Sequence, residues 1–430
     1  MAVVDTRVLT GARFNLLESG TVTVSSTVST EDPLFPRTNL YDGRPSRPFR
    51  MLTSAALTSI GGISICDVTV DGNQVLNGNF DVWSAGTPVS WTENDTGTAA
   101  VTETTTVGEV VTGSAAKLAA GTGNAYLWQD IVVRSGQKRR IEFFARADAG
   151  GLDVLLQNLA TGNGWNGSAW VAGAATPVAI GTVATMTAFG ANYTVEPFST
   201  TQTDLCTLRI LIAATGTKTG FVDDLYDFPA VDVMTMHGHN LEPGGFLCVL
   251  RSDTAAFAGA GTLEATAVVA QPAFYVLLAA AVYRRYWRVR VTGSWWQTLI
   301  CEIGELVIGQ AYSLLQGATY GAELGFLRDD VATETGLGEQ HVYARTRQAR
   351  RTLGLKFRFD SETKYRAARD EMFKRSGGRV NPLVIIPDTT LPDVIYGRID
   401  RSWKVTRSLV AYYDQNDLTV VESAFPIATN

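Results

Sequence analysis

Two sets of side chains in this sequence are spaced as if for chemistry, and the first is aromatic. Trp165 and Trp170 bracket a Gly-, Asn- and Ser-rich stretch, with Asn163 and Asn166 on either side of Trp165. Tyr126 and Trp128 stand two apart, which puts both rings on one face if that segment is a strand. A flat ring beside an amide suits a ligand with a C–H-rich face to stack and hydroxyls to read by hydrogen bonds. Trp165 is the favoured platform, because its immediate neighbours are Asn and Gly rather than apolar residues. The plainer account has Trp128 packing a core and Trp170 opening a hairpin strand.

The second set is polar, and it argues against catalysis. His237 and His239 flank Gly238, so they would share a strand face, yet no third ligand follows at a zinc-like spacing. A turn at Gly238 is the stronger reading, and no Ser or Cys nucleophile motif lies near either histidine. Four cysteines (Cys66, Cys206, Cys248 and Cys301) form no Cys-x-x-Cys pair, and Cys206 and Cys248 sit in apolar runs where buried thiols are expected. Twelve Lys and Arg fall between His341 and Arg379 against four acids. That tract alternates basic and acidic residues at helical spacing (Glu362 and Arg366, Arg366 and Asp370), which suits a solvated or subunit-facing surface better than nucleic acid. The whole chain carries a net charge of −6, which gives no reason to expect a nucleic-acid partner.

The elements that must position these groups read as strands. A chain of 430 residues with 18% charged residues and abundant Thr, Gly and Val favours an all-β protein of two or three domains. Alternation predicts strands at Thr21–Val28, Leu57–Cys66, Ala230–Leu241, Phe246–Arg251, Tyr286–Val291 and Ile303–Gly309. Further strands are expected at Leu353–Phe359, Leu383–Ile386 and Leu409–Tyr413 around a single helix, N-capped by Ser361 and running to about Lys374. The longest apolar run, Ala273–Tyr283, has 11 residues and is too short for a membrane span, and Met1–Arg7 lacks the apolar core of a secretory signal. The expected map is a split jelly-roll sandwich over 1–66 and 229–310, an inserted sandwich over 67–228, and a strand-rich unit with one helix over 311–430.

Four motifs, in order, are Asn39-Leu40-Tyr41-Asp42-Gly43-Arg44-Pro45-Ser46, Gly238-His239-Asn240-Leu241, Arg285-Tyr286-Trp287-Arg288-Val289 and Ile303-Gly304-Glu305-Leu306-Val307-Ile308-Gly309. Together they resemble a discoidin-like, galactose-binding-type jelly roll, and more narrowly the tail-tip and baseplate proteins of long-tailed bacteriophages, the distal tail proteins among them. The departure from that pattern is a whole domain between the first motif and the second.

That inserted stretch, Val75–Asp224, resembles a jelly-roll carbohydrate-binding module. The matching residues are Asn77-Gly78-Asn79-Phe80, Trp91 as the early core Trp, Gln129-Asp130-Ile131, Ile141-Glu142-Phe143-Phe144-Ala145-Arg146, and the closing Val222-Asp223-Asp224-Leu225. The resemblance makes a saccharide the ligand of Tyr126, Trp128, Asn163, Trp165, Asn166 and Trp170. It also makes Asp81, Asp223 and Asp224 the carboxylates for a structural calcium ion, set against the plainer account of solvated turn acids. Glu142 and Glu196 fall where such modules carry no acid or base, so no enzyme is expected.

These resemblances imply a virion subunit, assembled in the host cytoplasm without an export signal. It would form a homo-oligomeric ring on the tail tube beside the hub, with no nucleic acid and no membrane insertion. The insert would face a host cell-surface glycan. The alternatives are a baseplate component whose insert binds no sugar, and a non-catalytic accessory part of a secreted polysaccharide-acting protein.

Overall fold

The computed structural model describes residues 7–10, 21–23, 29–41, 48–53, 63–69, 74–148, 150–173, 177–197, 205–241, 246–252, 262–268, 273–284, 286–292, 300–314, 323–327, 330–334, 340–344, 350–374, 382–389, 393–400, 406–409 and 412–423. The chain is all-β in the main, with one α-helix among the described residues. It divides into two compact units, Asp71–Ala230 and the pair of segments Met1–Val70 and Val231–Asn430.

The Asp71–Ala230 unit is a two-sheet sandwich. Its strands are β1 (Thr92–Glu93), β2 (Ala100–Thr104), β3 (Ala115–Ala119), β4 (Ala125–Arg134), β5 (Arg139–Ala147), β6 (Leu152–Asn158), β7 (Asn163–Trp165), β8 (Trp170–Val171), β9 (Val178–Ile180), β10 (Val183–Phe189), β11 (Thr194–Val195), β12 (Leu205–Ala214) and β13 (Thr219–Pro229). One sheet runs β8-β7-β6-β12-β4-β1 with β9 beside β6, and the other runs β10-β5-β13-β3-β2 with β11 beside β5. All the pairings are antiparallel. Strict alternation builds the interior. Leu127, Ile131 and Val133 of β4, Leu208, Ile210 and Ile212 of β12, and Ile141, Phe143 and Ala145 of β5 share one core.

The opening and closing motifs of this unit meet. Leu225 N–H donates to Gly78 O at 2.8 Å, and a Cβ on Gly78 would lie 1.9 Å from Leu225 O, so only glycine fits there. Asn77 holds a left-handed conformation at φ 50°, with its side chain bonded to Val82 N, Val82 O and Val89 O. Trp91 packs on Phe80 at 5.1 Å and donates its indole N–H to Asn77 O. Buried Gln129 reaches from β4 to Leu76 N, Leu76 O and Ser90 O. At the other end of the motif pair, Arg139 grips Asp227 by two nitrogens inside the sandwich.

The second unit corrects part of the expected map. Arg7–Thr10, assigned from sequence to the split sandwich, pairs with Leu383–Ile386 and with Tyr312–Ser313 in an eight-stranded sheet of the C-terminal region. Val233, Ala273 and Val307 share a core with Val384, Ile386, Val394 and Tyr396, while a second core, with Leu314, Leu353, Phe357, Phe359, Ile385 and Val420, lies wholly within residues 311–430. Gly304 splits the expected Ile303–Gly309 strand. Ile300–Ile303 pairs with Phe49–Thr53, whereas Glu305–Gly309 pairs with Val231–His237. Thr406–Leu409 pairs antiparallel with Tyr412–Glu422, and the middle of the expected strand Leu409–Tyr413 lies outside the described residues.

The helix spans Glu362–Arg369, with Ser361 Oγ accepting from Lys364 N, and continues as a π-turn to Lys374. Gly377 and Gly378, expected to end it, lie outside the described residues, as do most of Thr21–Val28 and Leu57–Cys66.

Candidate aromatic and acidic sites of the inserted sandwich

The four aromatic residues singled out in the sequence separate onto opposite faces of one sheet. Along β4 the side chains alternate between core and surface, so Tyr126 and Trp128 point outward together, half-buried. Trp128 lies opposite Thr92 of β1 and Leu211 of β12, and Tyr126 opposite Ala213. Two residues of strand put the two ring positions about 7 Å apart.

Around these rings stand groups that the sequence did not associate with them. Arg209 lies over the Trp128 ring at 5.6 Å from its centroid, and Asp130 holds that guanidinium through bonds of 2.6 and 2.7 Å. Hydrogen bonding to Asp130, chiefly, raises the Arg209 pKa. Asn124 donates to Tyr126 Oη at 2.9 Å, and Gln157 lies across from Arg209 on β6. Asp130 and Arg209 are 79 residues apart in the chain, so only the β4–β12 register brings them together.

Trp165 and Trp170 are placed differently. They face each other across β7 and β8, ring centroids 5.4 Å apart and edge to face, and both pack on the sandwich core. Trp165 Nε1 donates to Asn192 O at 2.8 Å, and Trp170 Nε1 donates to Glu196 O at 3.0 Å. The two indoles therefore tie the sheet edge to the segment between β10 and β12. The apolar neighbours of Trp165 are distant in the chain, so its polar sequence neighbours do not reveal them. Asn163 lies opposite Asn158 on the inward face, and Asn166 Oδ1 accepts from Ser168 N, Ser168 Oγ and Ala169 N within its own turn.

The three aspartates are close enough to feel one another, and all their oxygens but Asp224 Oδ2 already accept hydrogen bonds. Asp223 Oδ2 accepts from Val111 N and Thr112 N, and its Oδ1 accepts from Asp224 N. Asp81 Oδ1 accepts from Ser114 N, while Asp224 Oδ1 accepts from the Tyr226 hydroxyl. Burial pushes the Asp223 carboxyl up to about 6, with Asp224 adding to the rise. Burial also raises Asp224, with Asp81 contributing. Among the described residues, no group of three or more His, Cys, Asp or Glu side chains is placed to hold a metal ion.

A carboxyl pair without any sequence signal lies at the opposite edge of that sheet from Trp165 and Trp170. Glu93 of β1 accepts from Thr87 Oγ1 and contacts Asp95, and its pKa is raised by burial first and by Asp95 second. A two-residue strand shows no periodicity, so nothing in the sequence marked Glu93. In the other unit, His237 is fully buried at a strand end, bonded to Thr235 Oγ1 at 2.8 Å. Burial, with Arg351 and His239 beyond it, holds the imidazole well below its ordinary pKa. His239 packs edge to face on Phe274. Among the described residues, no helix is long and apolar enough to cross a membrane.

No family model matches this sequence, and no curated protein matches it. Solved structures similar to parts of it include the enzymatically active domain of tailspike protein 4 of bacteriophage CBA120, at 16% identity and TM-score 0.28, covering 37% of this chain and 21% of that one. This chain thus spans about a fifth of that protein's length. A TmCBM61 module in complex with β-1,4-galactotriose matches at 18% identity and TM-score 0.26, over 36% of this chain and 98% of the module. The CBM22-1–CBM22-2 tandem of Xyn10C from Paenibacillus barcinonensis matches at 9% identity and TM-score 0.24, over 59% of this chain and 99% of the tandem.

Proposed function

We propose that this chain is a structural subunit of a phage tail tip of the distal-tail type, in which the Asp71–Ala230 sandwich contacts a saccharide of the host surface. The observation that carries the saccharide reading is the outward face of β4. An exposed sheet face is ordinarily polar, yet here Tyr126 and Trp128 lie side by side, edged by Asn124, Gln157 and the Arg209–Asp130 pair. Aromatic planes beside fixed hydrogen-bonding groups suit a pyranose, whose ring stacks while its hydroxyls are read. Trp165 and Trp170 serve the fold in this reading rather than the ligand.

The remaining unit forms the ring on the tail tube and hub. Repeated display around that ring would turn weak single contacts into avid ones. The role is non-catalytic. A glycosidase needs two carboxyls on either side of the scissile bond, at least about 5 Å apart, whereas Glu93 and Asp95 are in hydrogen-bonding contact. Glu142 lies 3.5 Å from Arg140 as its ion-pair partner.

A glycan array probed with the whole chain tests the site. Binding that survives Trp165→Phe and is lost in Trp128→Ala supports it, and no binding by the unsubstituted chain refutes it. Deleting Val75–Asp224 from the phage tests the display. Particles that assemble but adsorb poorly support it, whereas unchanged adsorption favours a baseplate component whose insert binds no sugar, a reading consistent with Arg209 lying over the Trp128 ring.

A further inference from the structure

The sequence holds three Asn-Gly pairs, Asn77-Gly78, Asn163-Gly164 and Asn166-Gly167, all in the inserted sandwich. We infer that Asn166 is a self-modifying site, at which the backbone nitrogen of Gly167 closes on the side-chain amide and converts the residue to aspartate and isoaspartate, while the other two pairs are protected by the fold.

The chemistry needs an open nucleophile, a polarised carbonyl and access to water. In the first step the Gly167 nitrogen bonds to Asn166 Cγ and loses its proton. The bond from Cγ to the side-chain nitrogen breaks, and ammonia leaves with that proton. Water then opens the five-membered imide at either carbonyl, giving aspartate or isoaspartate with no change of oxidation state.

At Asn166 all three requirements meet. Ser168 N, Ser168 Oγ and Ala169 N donate to Oδ1 at 3.0, 3.0 and 2.8 Å, aimed where negative charge builds as the nitrogen attacks. No Gly167 N–H bond occurs among the described residues, and the position holds φ 95°, a conformation that a residue without Cβ adopts freely. Asn166 itself is exposed to water.

The other pairs lack these features. At Asn163 the nucleophile is engaged, because Gly164 N–H donates to Gly173 O, and the pair lies within β7. At Asn77 the leaving nitrogen is clamped by Val82 O and Val89 O, and Gly78 is packed against Leu225. Product at position 166 adds a negative charge to the loop between Trp165 and Trp170. Isoaspartate would also lengthen the backbone there and break the turn that Oδ1 organises.

Incubation of the native whole chain in mildly alkaline buffer, followed by peptide mapping for isoaspartate and the amide-to-acid mass change, reads all three sites at once. Conversion at Asn166 should outpace the other two, and in the chain unfolded by urea the three should converge. Ser168→Ala, on an exposed turn, should slow Asn166 by about tenfold, less than a buried oxyanion donor supplies. Equal native rates at the three pairs, an inert Asn166, or a Ser168→Ala rate equal to that of the unsubstituted chain would each overturn the inference.

Discussion

Replacing Trp165 by alanine separates a structural indole from a ligand-stacking one. The ring is half-buried against the core and edge to face with Trp170, and its N–H is bonded to Asn192 O. Truncating a fully buried Trp costs about 3–5 kcal/mol, so a half-buried one costs roughly 2. The lost hydrogen bond adds about 1 kcal/mol, because water can reach the Asn192 carbonyl that is left behind. The expected loss is therefore about 3 kcal/mol.

Trp128→Ala removes a ring that faces outward and holds one cation above it, a contact worth about 0.5–1 kcal/mol at a wet surface. Hydrogen exchange of the β12 amides in the whole chain measures both losses, because those amides open only when the sandwich unfolds. The reasoning fails if Trp165→Ala leaves β12 protection within about 0.5 kcal/mol of the parent chain while abolishing saccharide binding. It fails equally if Trp128→Ala is the more destabilising of the two.

Three further outcomes follow from the same sandwich. Gly78→Ala would force a Cβ to within 1.9 Å of a carbonyl oxygen, and it should destabilise the unit by at least about 3 kcal/mol in urea unfolding. Asp227→Asn strands the buried Arg139 charge and should cost about 3–5 kcal/mol, while the double variant Arg139→Met, Asp227→Leu should recover most of it by the same measurement. The Asp223 carboxyl sits at about 6 in the fold against 3.8 unfolded, so the folded state binds its proton more tightly. Its contribution is fully present below 3.8 and is lost as pH rises through 6, so the melting temperature should rise on acidification across that window, and Asp223→Asn should flatten the rise.

Much of this fold was legible in the sequence because it is written in alternation. Tyr126 and Trp128 stand two apart in the sequence, and the structure sets both on one face of the strand Ala125–Arg134. The Ser361 cap was legible for a local reason too, since one side chain and an N–H three residues on define it. What alternation leaves out is the partner. Arg7–Thr10 is short enough to pair with any apolar edge, and its place beside Leu383–Ile386 depends on a contact across nearly the whole chain. The two halves of Ile303–Gly309 read as one strand because a glycine interrupts pairing without interrupting the apolar pattern.

The same limit explains why Trp165 packs on the core although its sequence neighbours are polar. Period-two patterning says which side chains share a face, but the sign of the face, core or solvent, is set by what the opposite sheet supplies. For β4 the ten positions together carry the sign, because the inward set holds four apolar residues and one polar one, Gln129, whereas the charged Asp130 and Arg134 both stand on the outward set. A three-residue strand such as β7 has no such majority, and local polarity then misleads: Asn163 and Asn166 beside Trp165 suggest a wet ring. The register settles it through Asn158, which points inward and lies opposite Asn163, so that Trp165, two residues on, must also point inward and meet Trp170 there. An aromatic residue in a polar loop is thus better judged by the face of its paired strand than by its neighbours in sequence. By that criterion the exposed chemistry of this sandwich lies along β4, where the rings and the Arg209–Asp130 pair occupy the same outward row.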